Sequence, residues 1–183
     1  DPVHQIPTIP RGPAGGMTIS LPQEDKSYRS RTELQESIAA CLGGRVAEQM
    51  VLGDISTGAS NDLQRATNIA RAMVTKYGMS DRLGTVVFDS GSDEIFIGRP
   101  MAQAKPYSEE VAGEIDQEVR AIIDAAYARC QDILTARRAQ LEQVAQYLLE
   151  HETMEAADFQ AAFGEEPDGQ GSEALPENRP SET

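Results

Sequence analysis

The feature that most limits how this chain can fold is a set of apolar stripes that repeat every three or four residues. Leu34, Ile38, Leu42 and Val46 make one stripe, and Leu63, Ala66, Ile69, Ala70, Met73, Val74 and Tyr77 make a second. Ile115, Val119, Ile122, Ala126, Cys130 and Ile133 make a third. This spacing gathers side chains on one face of a helix, which the two-residue period of a strand does not do. Leu141, Val144, Leu148 and Leu149 predict a fourth helix, and Phe159 and Phe163 a short last one after Thr153. Tryptophan is absent and aromatics make up 5% of the chain, so the core must be aliphatic. The expected class is mainly α.

Punctuation supports these helices. Thr32 with Gln35 three residues on fits a capping box at the first start, and Gly53 fits its stop. Ser60 is a suitable N-cap for the second helix, and Gly78 stands where a left-handed residue would end it. Ser108 opens the third, with Glu109 and Glu110 at the positive end of the dipole. Gly43-Gly44 weakens the first helix by roughly 1 kcal/mol per residue relative to alanine, which predicts close backbone packing there.

Near the N-terminus the pattern changes. His4-Gln5-Ile6-Pro7-Thr8-Ile9 alternates roughly and Met17-Thr18-Ile19-Ser20-Leu21 cleanly, with Pro/Gly-rich residues 10–16 between them, so a small β-hairpin is expected. Pro7 and Pro10 cannot donate ladder hydrogen bonds, which predicts an edge or irregular first strand. Thr85-Val86-Val87-Phe88 is a further short strand candidate. Residues 164–183 hold six acids, one arginine and almost nothing apolar. They are expected to form a disordered acidic tail after a domain spanning 1–163.

The formal net charge of −14 makes nucleic acid an unsuitable partner, because both surfaces repel. Cys41 and Cys130 fall among apolar helix positions and are expected as reduced core thiols. No apolar run approaches the ~18 residues of a membrane span. The chain opens at Asp1 without methionine and so is expected to be a soluble fragment of a longer protein.

Chemistry concentrates at Thr57-Gly58-Ala59-Ser60-Asn61-Asp62, a glycine-containing loop running into a helix head. Asp62 lies four residues before Ala66 and is expected to head the same inward stripe. Two readings stand on spacing alone. The carboxylate either satisfies the helix N-terminus and its dipole, or it is a metal ligand.

The segment Thr57 to Thr67, with Ile9-Pro10-Arg11-Gly12, Leu42-Gly43-Gly44-Arg45-Val46-Ala47-Glu48 and Tyr77-Gly78-Met79-Ser80, resembles the FtsH family of ATP-dependent zinc proteases. Phe96-Ile97-Gly98-Arg99, Tyr107-Ser108-Glu109-Glu110 and Ile115 to Arg120 continue the resemblance in the same order, over about residues 2–163. The resemblance implies a helical zinc-peptidase domain in which Asp62 is the third protein ligand of zinc. The family's other two ligands come from a His-Glu-x-x-His helix, whose glutamate acts as general base. This chain has two histidines, His4 and His151, and neither stands in such a motif. The motif would fall just before Asp1, so the chain alone is expected to be metal-free and inactive.

Glu48 has two open readings: an exposed acid paired with Arg45, or a group standing behind the metal's own ligands. The resemblance also implies an ATPase module using ATP and magnesium, a membrane anchor, and a homohexameric ring. The peptidase domain would face the cytoplasm or an organelle interior, and substrates would be unfolded or membrane proteins. Met17 to Leu21 would then offer an edge to which substrate adds as a strand. A different class of reading is a catalytically dead homologue serving as scaffold or ring-forming partner.

Overall fold

A computed structural model describes residues 3–7, 19–20, 28–88 and 107–163. Expectations for Met17, Thr18, Leu21, residues 8–16, 96–99 and the tail 164–183 lie outside them. The chain divides into two compact units, Glu24–Arg138 and Asp1–Gln23 with Ala139–Thr183. The class is mainly α, as the stripes predict.

The first unit packs three helices: α1 (Arg31–Leu52), α2 (Ser60–Thr75) and α3 (Glu109–Ala136). α1 starts slightly earlier than the Thr32/Gln35 pair suggests. Its capping box is Ser30 with Glu33: the Ser30 hydroxyl accepts from the Glu33 amide at 3.2 Å, and the Glu33 carboxylate accepts from the Ser30 amide at 2.7 Å. Gly53 ends α1 in the left-handed region at φ 66°. Ser108 caps α3, its hydroxyl accepting from the Val111 amide.

The core is the one the stripes define. Ile38, Leu42 and Val46 of α1 meet Ala66, Ala70, Met73 and Val74 of α2 and Ile115, Val119, Ala126 and Cys130 of α3. Each large aliphatic side chain so buried stabilises the fold by about 1.5–3 kcal/mol. The alanines let α2 approach its neighbours closely. Both cysteines are free thiols, Cys130 buried and Cys41 half-buried. Burial raises the pKa of each above the ordinary thiol value.

Gly43 and Gly44 depart from expectation. A Cβ built on either meets nothing within 4 Å, so no close backbone approach among the described residues explains them. The glycine that the fold requires is Gly78, at φ 59°, where a Cβ would come within 3.0 Å of the Thr85 backbone. The segment after it is not the expected strand. Residues 85–88 pair with no strand among the described residues, and the Phe88 amide donates to the Thr75 carbonyl at 2.8 Å. The Phe88 ring meets Tyr107 edge to face at 5.9 Å. The turn between is pinned by Ser80, which is buried. Its hydroxyl donates to Glu118 at 2.7 Å and accepts from the Arg82 and Leu83 amides. Arg31 adds a two-pronged contact to Asp81, both bonds 2.8 Å.

The second unit holds β1 (Val3–Pro7), β2 (Ile19–Ser20), α4 (Arg138–His151), β3 (Thr153–Glu155) and α5 (Ala156–Phe163). The hairpin is present, β1 and β2 being antiparallel with an irregularity between Val3 and Gln5. β1 is nevertheless central rather than an edge, because the sheet order is β2-β1-β3. Pro7 is tolerated at the end of the strand, opposite Thr153. Glu152 stops α4 at φ 60°, and the chain turns into β3, whose Met154 is buried. In the α4 stripe Leu141, Val144 and Leu148 are half-buried, while Leu149 is exposed. None of the described helices is long and apolar enough to cross a membrane.

Candidate metal-ligand site at the head of the second helix

Seven residues separate α1 from α2, and polar contacts within this loop set the position of the α2 head. Glu48, on the last turns of α1, accepts the Ser56 hydroxyl at 2.7 Å through one carboxylate oxygen and the Ser56 amide at 3.1 Å through the other. The same Ser56 hydroxyl oxygen accepts from the Gly58 amide at 3.1 Å. The Ser60 amide then donates to the Thr57 carbonyl, and the Leu63 amide to the Ala59 carbonyl. A Cβ on Gly58 would lie 3.2 Å from that hydroxyl, so the tight turn favours glycine. Ser56, bonded directly and then the nearby Arg45 charge, holds the Glu48 carboxyl below its ordinary pKa. Glu48 makes no ion pair with Arg45 among the described residues.

Ser60 is the first residue of α2 rather than its cap. Ala59 stands at the N-cap, and no side chain caps the helix. Asp62 also differs from expectation. It heads the Ala66 stripe by spacing, yet it is exposed, as are Ser60, Asn61 and Leu63. The reason is that α2 enters the α1–α3 packing only from Ala66 onward, and its first turn stands clear. Among the described residues no hydrogen bond or ion pair engages the Asp62 carboxylate. Its charge is sensed across the α1–α2 seam. Burial raises the Cys41 thiol most, Arg65 opposes that rise and Asp62 adds to it.

An open groove of about 540 Å³ runs along the neighbouring face of α2, floored by Leu34, Ile69 and Ala72. Asn61, Gln64, Arg65 and Asn68 line its wall, with Arg29 and Tyr77 beyond.

No three His, Cys, Asp or Glu side chains are grouped to hold a metal among the described residues. Asp62 presents one solvent-facing carboxylate with no hydrogen bond or ion pair among the described residues. A zinc site needs three or four such donors, so the donors present do not complete one. His151 is engaged elsewhere, its Nδ1 3.1 Å from the Tyr147 carbonyl and its ring stacked on Tyr147 at 4.3 Å. Of the expected strand Met17 to Leu21, Ile19–Ser20 is seen as β2. Sequence reasoning missed Ser56, whose pairing with Glu48 eight residues earlier leaves no local pattern. It also missed the groove, although amides at Asn61, Gln64 and Asn68 follow helical spacing.

The sequence profile described as Peptidase family M41 matches residues 1–162. ATP-dependent zinc metalloprotease FtsH 2 of Alkaliphilus metalliredigens is 56% identical over 163 residues, 89% of this chain and 24% of that protein. ATP-dependent zinc metalloprotease FtsH 1 of Thermoanaerobacter sp. is 52% identical over 169 residues, 92% of this chain and 28% of that protein. ATP-dependent zinc metalloprotease FtsH of Bacillus subtilis is 48% identical over 157 residues, 85% and 25%. The chain thus spans about a quarter of the length of these relatives.

Proposed function

Because the chain belongs to peptidase family M41, we propose that it is the zinc-peptidase part of a membrane-anchored, ATP-dependent endopeptidase that degrades unfolded and membrane proteins. The site assignment rests on the family match over residues 1–162 and on the resemblance of the Thr57–Thr67 segment that carries Asp62, whose exposed carboxylate makes no hydrogen bond or ion pair among the described residues. A ligand must keep its oxygens free and its position fixed, and the Glu48–Ser56–Gly58 network supports the second requirement.

In this reading Asp62 supplies one zinc ligand, and two histidines and the general-base glutamate come from a His-Glu-x-x-His helix that these residues lack. Zinc, when bound, supplies the Lewis acidity for peptide hydrolysis. Glu48 fixes the ligand's loop and touches no metal. By itself the chain binds no zinc and cleaves nothing. β2 is an edge strand among the described residues, which supports the idea that substrate adds there through main-chain hydrogen bonds. ATP, magnesium and assembly into a homohexamer belong to the longer protein.

The test places the family's His-Glu-x-x-His helix ahead of residue 1 and measures zinc by atomic absorption and cleavage of casein. About one zinc per chain and measurable cleavage are expected. Asp62→Asn should weaken zinc at least about tenfold and abolish cleavage. Full zinc and full activity in that variant would remove Asp62 from the ligand role. Absence of zinc in the extended chain would favour the scaffold reading.

A further inference from the structure

We propose that Arg138 is a positioning residue for the candidate zinc ligand Asp62, acting by holding the end of α1. The proposal rests on the reading of Asp62 as a ligand and adds a group that fixes where the α2 head stands.

The first support is the place Arg138 occupies. Its guanidinium donates to the Met50 carbonyl at 3.4 Å, across 88 residues of sequence. α1 ends at Leu52, so this carbonyl is among the last four of the helix, which have no partner within it. The same end carries the negative pole of the helix dipole, and α1 has no basic side chain in its own last turn. Arg138 therefore brings a cation and a donor to an end that needs both. Its own backbone is fixed on either side. The Arg137 amide closes α3 on the Ile133 carbonyl, and α4 begins at Arg138 itself. Arg138 is also the last residue of the helical unit, so both partners in this contact lie within that unit.

The second support is what depends on that end of α1. Glu48 stands two residues before Met50, and both its carboxylate oxygens are bound to Ser56. Ser56 in turn accepts from the Gly58 amide, and α2 starts two residues on. The half-buried Met50 side chain packs on the core. These contacts form one path from Arg138 to the first turn of α2. Fraying or rotation of the last turn of α1 would carry Glu48, and the loop with it, away from the position in which Asp62 is presented.

Two preparations test this. In the 183-residue chain, Arg138→Ala is expected to raise amide exchange at Ser56 and Gly58 about three- to tenfold, while the α3 amides around Val119 keep their protection. In the chain extended with the His-Glu-x-x-His helix, the same variant should weaken zinc about three- to tenfold, read by competition with a chromogenic chelator. Arg138→Lys keeps the charge without the planar fork and should recover most of both effects. Because Arg138 acts through Glu48, adding Arg138→Ala to Glu48→Ala should cost little more zinc affinity. Unchanged exchange at Ser56 would overturn the proposal. So would equal loss of protection at Ser56 and Val119, which would make Arg138 a general stabiliser, and so would additive zinc losses in the double variant. Asp62→Asn is run alongside. If it keeps full zinc, the ligand reading fails and takes the proposal with it. If it loses zinc while Arg138→Ala keeps it, the proposal alone fails.

Discussion

The two halves of α2 obey different rules. From Ala66 to Val74 the helix is embedded, and its position is set by apolar packing against α1 and α3. From Ser60 to Leu63 it is exposed, and its position is set by a few hydrogen bonds in the preceding loop. The embedded half supplies stiffness and the exposed half supplies free oxygens. A helix head can serve as a ligand platform only if the two roles are kept apart, because a carboxylate in the core would need a partner of its own.

That contrast can be broken in graded steps. Met73→Ala strikes the embedded half, where the side chain is fully buried, and is expected to cost about 2–5 kcal/mol by urea or thermal unfolding. A loss below about 1 kcal/mol would mean the core collapses around the gap. Acting on the loop instead, pH should have a smaller and local effect. Glu48 is held below its ordinary pKa in the fold, so its stabilisation is full above the ordinary glutamate value and is lost as pH falls through the depressed one. Amide exchange at Ser56 should rise in that acid window, and Glu48→Gln should remove the dependence. Asp62→Asn should change the unfolding free energy of this chain least, by no more than about 0.5 kcal/mol, since no contact is broken among the described residues. A large destabilisation would show that the carboxylate serves the fold.

The same division decides what could be read from sequence. The embedded stripes were legible because helical burial leaves a periodic trace, and Gly53, Gly78 and Ser108 marked their ends. Gly43 and Gly44 misled, because propensity alone does not say what lies beside a glycine. The third strand was hidden twice. Its partner β1 lies about 150 residues away in sequence, and Glu152 rather than a glycine or asparagine takes the left-handed turn before it. Thr85 to Phe88 has strand composition, yet its backbone answers Thr75 instead. At the site, spacing left Asp62 undecided between cap and ligand, and resemblance singled it out. Its exposure and the Glu48–Ser56 brace came from tertiary geometry, for which neighbours in sequence carry no signal.

The pairing of Gln5 with Glu155 has a kinetic consequence. Their side chains also meet, Gln5 donating to Glu155 at 2.7 Å across a sequence separation of 150. Closing so long a loop costs about 5 kcal/mol of chain entropy before any contact is gained. The helical core also needs a distant closure, since α3 meets α1 across as many as 93 residues between Glu36 and Arg129. Both units therefore rest on pairings between distant parts of the chain, which are expected to slow folding relative to a bundle of sequence-adjacent helices.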